Sequence, residues 1–97
     1  MYAVIFKAEI NEFDSSYSAM AKRMKELAIN EYGCIEFNSA TEGNNEIAIS
    51  YWKTKEQIKE WKNNKEHLKA QELGKNKWYK NYSVEIVEVI NKYEKNT

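Results

Sequence analysis

Residues 2 to 10 alternate between two faces, with Tyr2, Val4, Phe6, Ala8 and Ile10 on one and Ala3, Ile5, Lys7 and Glu9 on the other. That is the period of a β-strand, and its second face is partly apolar too. The period then lengthens. Tyr17, Met20, Ala21, Met24, Leu27 and Ala28 recur at the three-and-four spacing of an amphipathic helix, with Asp14 or Ser15 placed to cap it. Lys22, Arg23, Lys25 and Glu26 take the solvated side, and Gly33 supplies the left-handed residue that ends such a helix. From Cys34 to Thr41 the alternation returns, and Glu42, Gly43, Asn44 and Asn45 read as a hairpin turn. A third strand follows from Glu46 to Trp52, with Ile47, Ile49 and Tyr51 opposite Ala48, Ser50 and Trp52. Both of its faces carry apolar residues.

The next helix opens with Thr54 and Gln57, three apart, which is the form of a capping box. It does not keep one phase. Ile58, Trp61, Lys65 and Leu68 define a first stripe, while His67, Ala70, Gln71, Gly74 and Trp78 define a second, rotated about the axis. Asn63 and Asn64 sit where the phase must slip, so a kink or break is expected there that turns His67 inward toward Trp61. On a straight helix His67 would face water. Lys75 to Lys80 reads as a short helical or irregular bridge to a last strand, Tyr82 to Ile90, with Val84, Ile86 and Ile90 on one face and Val87 and Val89 on the other. Residues 91 to 97 read as a polar, fraying tail.

Strand, helix, strand, strand, helix, strand implies a ferredoxin-like α+β fold: a four-stranded antiparallel sheet with both helices on one face. Apolar residues on both sides of the third and last strands leave the other face in need of cover. A second copy of the chain is the simplest candidate, which predicts a two-fold homodimer. The 97 residues suit one domain, ordered over about 2 to 90.

Composition narrows the chemistry. Lys plus Arg and Asp plus Glu are equal at 15 each, so no net field favours nucleic acid or an anionic membrane surface. The first residues meet charge early, unlike a signal peptide or membrane span, and with the lone Cys34 this points to a reducing, cytoplasmic setting. One His and one Cys do not make an ordinary zinc site, and no spaced carboxylate cluster or cofactor motif is present, so neither metal nor cofactor is expected. All three tryptophans and the single histidine lie between Ser50 and Tyr82. An aromatic-lined site around one titratable base suits a small, flat, mostly apolar ligand.

The run ISYWKTKEQIKEWKNNKEHLKAQELGKNKWYKNYSVEIVEV resembles the antibiotic biosynthesis monooxygenase domain family: a strand ending in Tyr-Trp, a capped helix with Trp, His six residues later, then Ala-Gln, Gly, Trp-Tyr and Tyr. The resemblance implies a dimeric α+β barrel built from two ferredoxin-like sheets. Its characterised members include cofactor-independent monooxygenases acting on quinols or polycyclic phenols, and haem-degrading relatives. The haem branch uses an asparagine in the first strand and a histidine ten residues beyond the helix tryptophan. Here the first strand has none before Asn11, and Gln71 stands ten residues after Trp61, which argues against haem breakdown.

Two functional readings follow. One is a cofactor-independent monooxygenase in which His67 takes a proton from a phenol or quinol, Trp61 and Trp78 stack on the substrate, and Tyr51, Tyr79 and Tyr82 offer hydroxyls to its oxygens. The other is a non-catalytic ligand-binding or sensing barrel, in which His67 is a structural histidine, the tryptophans are core, and Tyr79 and Tyr82 bond backbone at a dimer rim. Cavity volume separates them: well below the ~300 Å³ of ordinary ligand sites favours the packed domain.

Overall fold

The computed structural model describes residues 1–96. The order runs β1 (Tyr2–Ile10), α1 (Ser15–Glu31), β2 (Glu36–Glu42), β3 (Asn45–Trp52), α2 (Lys55–Lys62), α3 (Lys65–Leu73), a π-helical turn (Gly74–Trp78) and β4 (Tyr79–Glu88). The four strands form one antiparallel sheet in the order β2-β3-β1-β4. This is the expected ferredoxin-like arrangement, with its second helix cut in two.

Strand register decides what meets the helices. Val4 lies between Ser50 and Ile86, Phe6 between Ala48 and Val84, and Ala8 between Glu46 and Tyr82. Val4 and Trp52 from this face pack with Met24, Leu27 and Ala28 of α1 and with Ile58 and Trp61 of α2. Trp52, Ala28 and Ile58 are at most 1% exposed. Each large side chain so buried contributes roughly 1.5–3 kcal/mol. A second, smaller cluster gathers Ile10, Tyr17 and Trp78 at the other end of β1.

The helix ends follow local chemistry. Asp14 caps α1 through its side chain, which accepts from the Tyr17 amide at 2.8 Å. Gly33 and Gly43 adopt φ of 80° and 60°, the first closing the exit of α1 and the second turning the hairpin; Asn44 keeps negative φ. Thr54 and Gln57 complete a reciprocal capping box on α2.

Several boundaries differ from the sequence pattern. β2 starts at Glu36 because Cys34 still belongs to the helix exit: its amide donates to Ala28 O at 2.9 Å, and its buried thiol donates to Glu36 O. β4 starts at Tyr79 and stops at Glu88, since the π turn delivers the chain straight onto Ile10 across a bulge at Glu9/Ile10. Ile90, expected on the strand, is 96% exposed. Leu68, expected on an inward stripe, is 47% exposed, because the rotation that brings His67 inward carries its neighbour out. The polar tail expected over 91 to 97 has no regular structure through residue 96, and Thr97 lies outside the described residues.

The sheet face away from the helices carries Ala3, Ile5, Ile47, Ile49, Tyr51 and Val87. Ile5 pairs with Ile49 at its centre, and Ile47 is 43% exposed. No described helix is long and apolar enough to cross a membrane. No group of His, Cys, Asp and Glu among the described residues is placed to hold a metal ion.

Candidate functional site

The break between α2 and α3 builds the site. α2 ends at Lys62, and Asn64 caps α3, its Oδ1 accepting from the amides of Glu66 at 2.8 Å and His67 at 3.3 Å. The same side chain donates from Nδ2 to the Tyr32 hydroxyl at 3.0 Å, which anchors the break to the end of α1. Held in this way, the His67 ring meets Trp61 edge-on, with ring centroids 4.4 Å apart and planes 85° apart. Trp61 is itself fixed, donating from Nε1 to Met24 O at 3.1 Å and lying 5.1 Å from the Trp52 ring.

Gln71, one turn beyond His67, sets the imidazole's chemistry. Its side-chain nitrogen lies 3.0 Å from Lys62 O and 2.9 Å from His67 Nδ1. A carbonyl oxygen only accepts, so the atom facing Lys62 O must be the amide NH2, and its second hydrogen points to Nδ1. His67 Nδ1 is therefore an acceptor, and the proton sits on Nε2. Burial, with Lys62 nearby, lowers the imidazole pKa to about 4, so the ring is neutral near pH 7.

His67 and Trp61 border a cavity of about 470 Å³ between the helices and the sheet. Val4, Phe6 and Ala48 form its floor, with Met24 from α1 and Tyr79, Tyr82 and Val84 from β4 completing the apolar wall. This exceeds the ~300 Å³ of ordinary ligand sites, so the side chains do not fill the space as the packed, non-enzymatic domain requires. Tyr79 and Tyr82 flank Phe6, with centroids 5.3 Å and 6.4 Å from its ring. Gly74 lies directly beneath the Tyr79 ring, where a Cβ would collide with it. Arg23 of α1 grips Glu66 of α3 through two contacts of 2.7 Å and 3.1 Å, tying two elements that border the cavity.

Of the residues singled out in the sequence, His67, Trp61 and Tyr82 meet at the cavity, and Trp78 and Tyr51 do not. Trp78 shares a helical phase with His67, but the π turn holds more residues per turn and rotates it away. It is 3% exposed and packs edge-on against Tyr17 at 5.2 Å. Tyr51 is excluded by strand parity: it points to the other side of the sheet from Ser50 and Trp52, where the Lys92 ammonium sits 4.9 Å above its ring.

Glu46 is among the cavity residues that the sequence pattern does not single out. Glu46, which lines the cavity, stands on the inward parity of β3 with Ala48, Ser50 and Trp52. A charge among apolar inward positions was its signal. Its Oε2 is shut off from water and has no hydrogen-bond partner, and burial raises the carboxyl pKa. Burial first, then the Glu46 charge, hold the Tyr79 phenol well above its ordinary range.

The model of the monooxygenase af470-like family matches residues 4–95. The uncharacterized protein YqjZ of Bacillus subtilis is 36% identical over 89 residues, covering 91% of this chain and 78% of its own length. Among solved structures, Rv0793 of Mycobacterium tuberculosis superposes with a TM-score of 0.81 at 14% identity, covering 96% of this chain and 98% of that one. SnoaB of Streptomyces nogalater, a cofactor-independent oxygenase, gives 0.80 at 8% identity, with 97% of each chain covered. At such identities the structural likeness speaks for the fold. The family match speaks for descent, and the chain belongs to the monooxygenase af470-like family.

Proposed function

We propose that the protein is a cofactor-independent monooxygenase that oxidises a small aromatic phenol or quinol with O2. The observation that carries this reading is the aromatic cavity with one neutral imidazole at its wall. A deprotonated phenol is electron-rich enough to add O2 at ring carbon. The hydroperoxide formed loses water and leaves a quinone. One oxygen atom enters the product, the other leaves as water, and the substrate supplies all four electrons. The apolar wall of Val4, Phe6, Ala48, Met24 and Val84 strengthens polar contacts made to the anion. In this reading Trp61 and Tyr82 bound the ring plane, and His67 faces the substrate oxygen with Nε2–H, stabilising developing negative charge.

Oxygen uptake over a panel of quinols, with 18O2 to follow one atom into product, tests the reading. Native protein should exceed the uncatalysed rate on at least one substrate, and His67→Ala should lose most of that excess. Equal rates for native, variant and buffer across the panel would sink it.

The same reading includes a homodimer in the cytoplasm, formed through the apolar sheet face centred on Ile5 and Ile49. Sedimentation showing only an 11.5 kDa species would rule the dimer out.

A further inference from the structure

We infer that Glu46 is the proton acceptor of the cavity: its carboxylate receives the hydroxyl hydrogen of an aromatic ligand, while His67 serves as the donor. The inference rests on the proposed function only for the ligand class, a hydroxyl-bearing arene.

Three observations on geometry carry it. First, His67 is occupied. Its Nδ1 lone pair is taken by Gln71, which leaves an N–H as the ring's free polar edge. A group that presents a hydrogen cannot also remove one. Second, Glu46 lines the same cavity, held on a strand whose register against Ala8 and Thr41 fixes its backbone on both sides. Third, its Oε2 is sealed off by protein with no donor, so the carboxylate's open oxygen, Oε1, is the atom left to meet a ligand. A buried carboxylate oxygen without a partner is costly, and proteins normally satisfy such groups. Tyr79 also lines this cavity, but its phenol is held firmly protonated and does not compete as a base.

The step balances without any further group. The ligand O–H breaks and its proton passes to a Glu46 oxygen, leaving an aryloxide. O2 adds at ring carbon, giving a peroxide anion. That anion takes the proton back from Glu46. The resulting hydroperoxide then expels water, made from its terminal OH and the hydrogen on the attacked carbon, and the carboxylate is restored.

The test separates direct contact from a structural role. Titration calorimetry with 2-naphthol and its methyl ether compares ligands that differ in one donated hydrogen. Native protein should bind the naphthol at least about tenfold tighter, the usual scale of a hydrogen bond to a charged acceptor. In Glu46→Met that ratio should fall to near one, with ether affinity unchanged and the melting temperature raised, since an unpaired buried carboxylate has been removed. A preserved ratio, an equal loss for both ligands, or no preference in native protein would overturn the assignment. Glu46→Gln, which accepts a hydrogen bond but not a proton, should keep KM within a few-fold and lower kcat by about 100-fold or more. If native protein prefers the naphthol yet no quinol of the panel raises oxygen uptake, the monooxygenase reading fails and the Glu46 contact stands.

Discussion

The Gln71 amide nitrogen lies 2.9 Å from His67 Nδ1, and this contact fixes which edge of the imidazole is free. Nitrogen-15 NMR of the His67 ring should report an unprotonated Nδ1 and a protonated Nε2 at neutral pH. Replacing Gln71 by Met removes the donor and should let the other tautomer appear. An Nδ1–H signal in native protein would return His67 to the role of base.

A depressed histidine pKa has a definite sign in stability. The folded ring titrates at about 4 and the unfolded one near 6.5, so between these values the unfolded chain binds more protons and stability rises with pH. The stability of native protein relative to His67→Gln should grow by about 3 kcal/mol as pH rises through the window from 4 to 6.5 and level off above it. Glu46, raised by burial, works in the opposite direction above its ordinary value, which is why the difference between the two proteins is the quantity to follow. Urea unfolding at a series of pH values measures it.

Asn64 is the cap on which the placement of His67 depends. Asn64→Ala should cost about 1 kcal/mol in urea unfolding, the usual scale of a lost N-cap. The double change Asn63→Ala, Asn64→Ala favours one continuous helix. It should carry the imidazole off Trp61 and return its pKa toward 6.5, read by proton NMR titration. An unmoved pKa would show that packing alone holds the ring.

The fold was legible because each strand keeps its period of two and each cap uses a side chain with one obvious partner, as Asp14 and Thr54 do. The break at Asn63 and Asn64 was legible for the same reason: two apolar phases cannot share one cylinder. Trp78 was misplaced because a π turn leaves no signature in spacing, and five residues of wider winding undo a phase argument built on 3.6. Glu46 breaks the apolar pattern at an inward position of β3, but only tertiary contact puts a cavity beside it. The four lysines bordering the cavity, Lys22, Lys25, Lys62 and Lys75, come from three segments of chain, and only tertiary contact gathers them.

The sheet face away from the helices gives a direct check on assembly. Ile5→Lys or Ile49→Lys places a charge at the centre of the apolar patch while leaving the helix-facing core untouched. Either should convert a dimer to monomer in sedimentation, whereas Lys7→Glu at the patch margin should leave assembly nearly unchanged. Retention of a dimer in both isoleucine variants would place the interface elsewhere.

The two-asparagine connector also acts as a selector. One residue added or removed there turns the following helix by about 100°, so Glu66 or Leu68 would present itself where the imidazole now stands. A change of length there exchanges the helix-borne donor alone, while Glu46 and Tyr82 keep their places on the sheet.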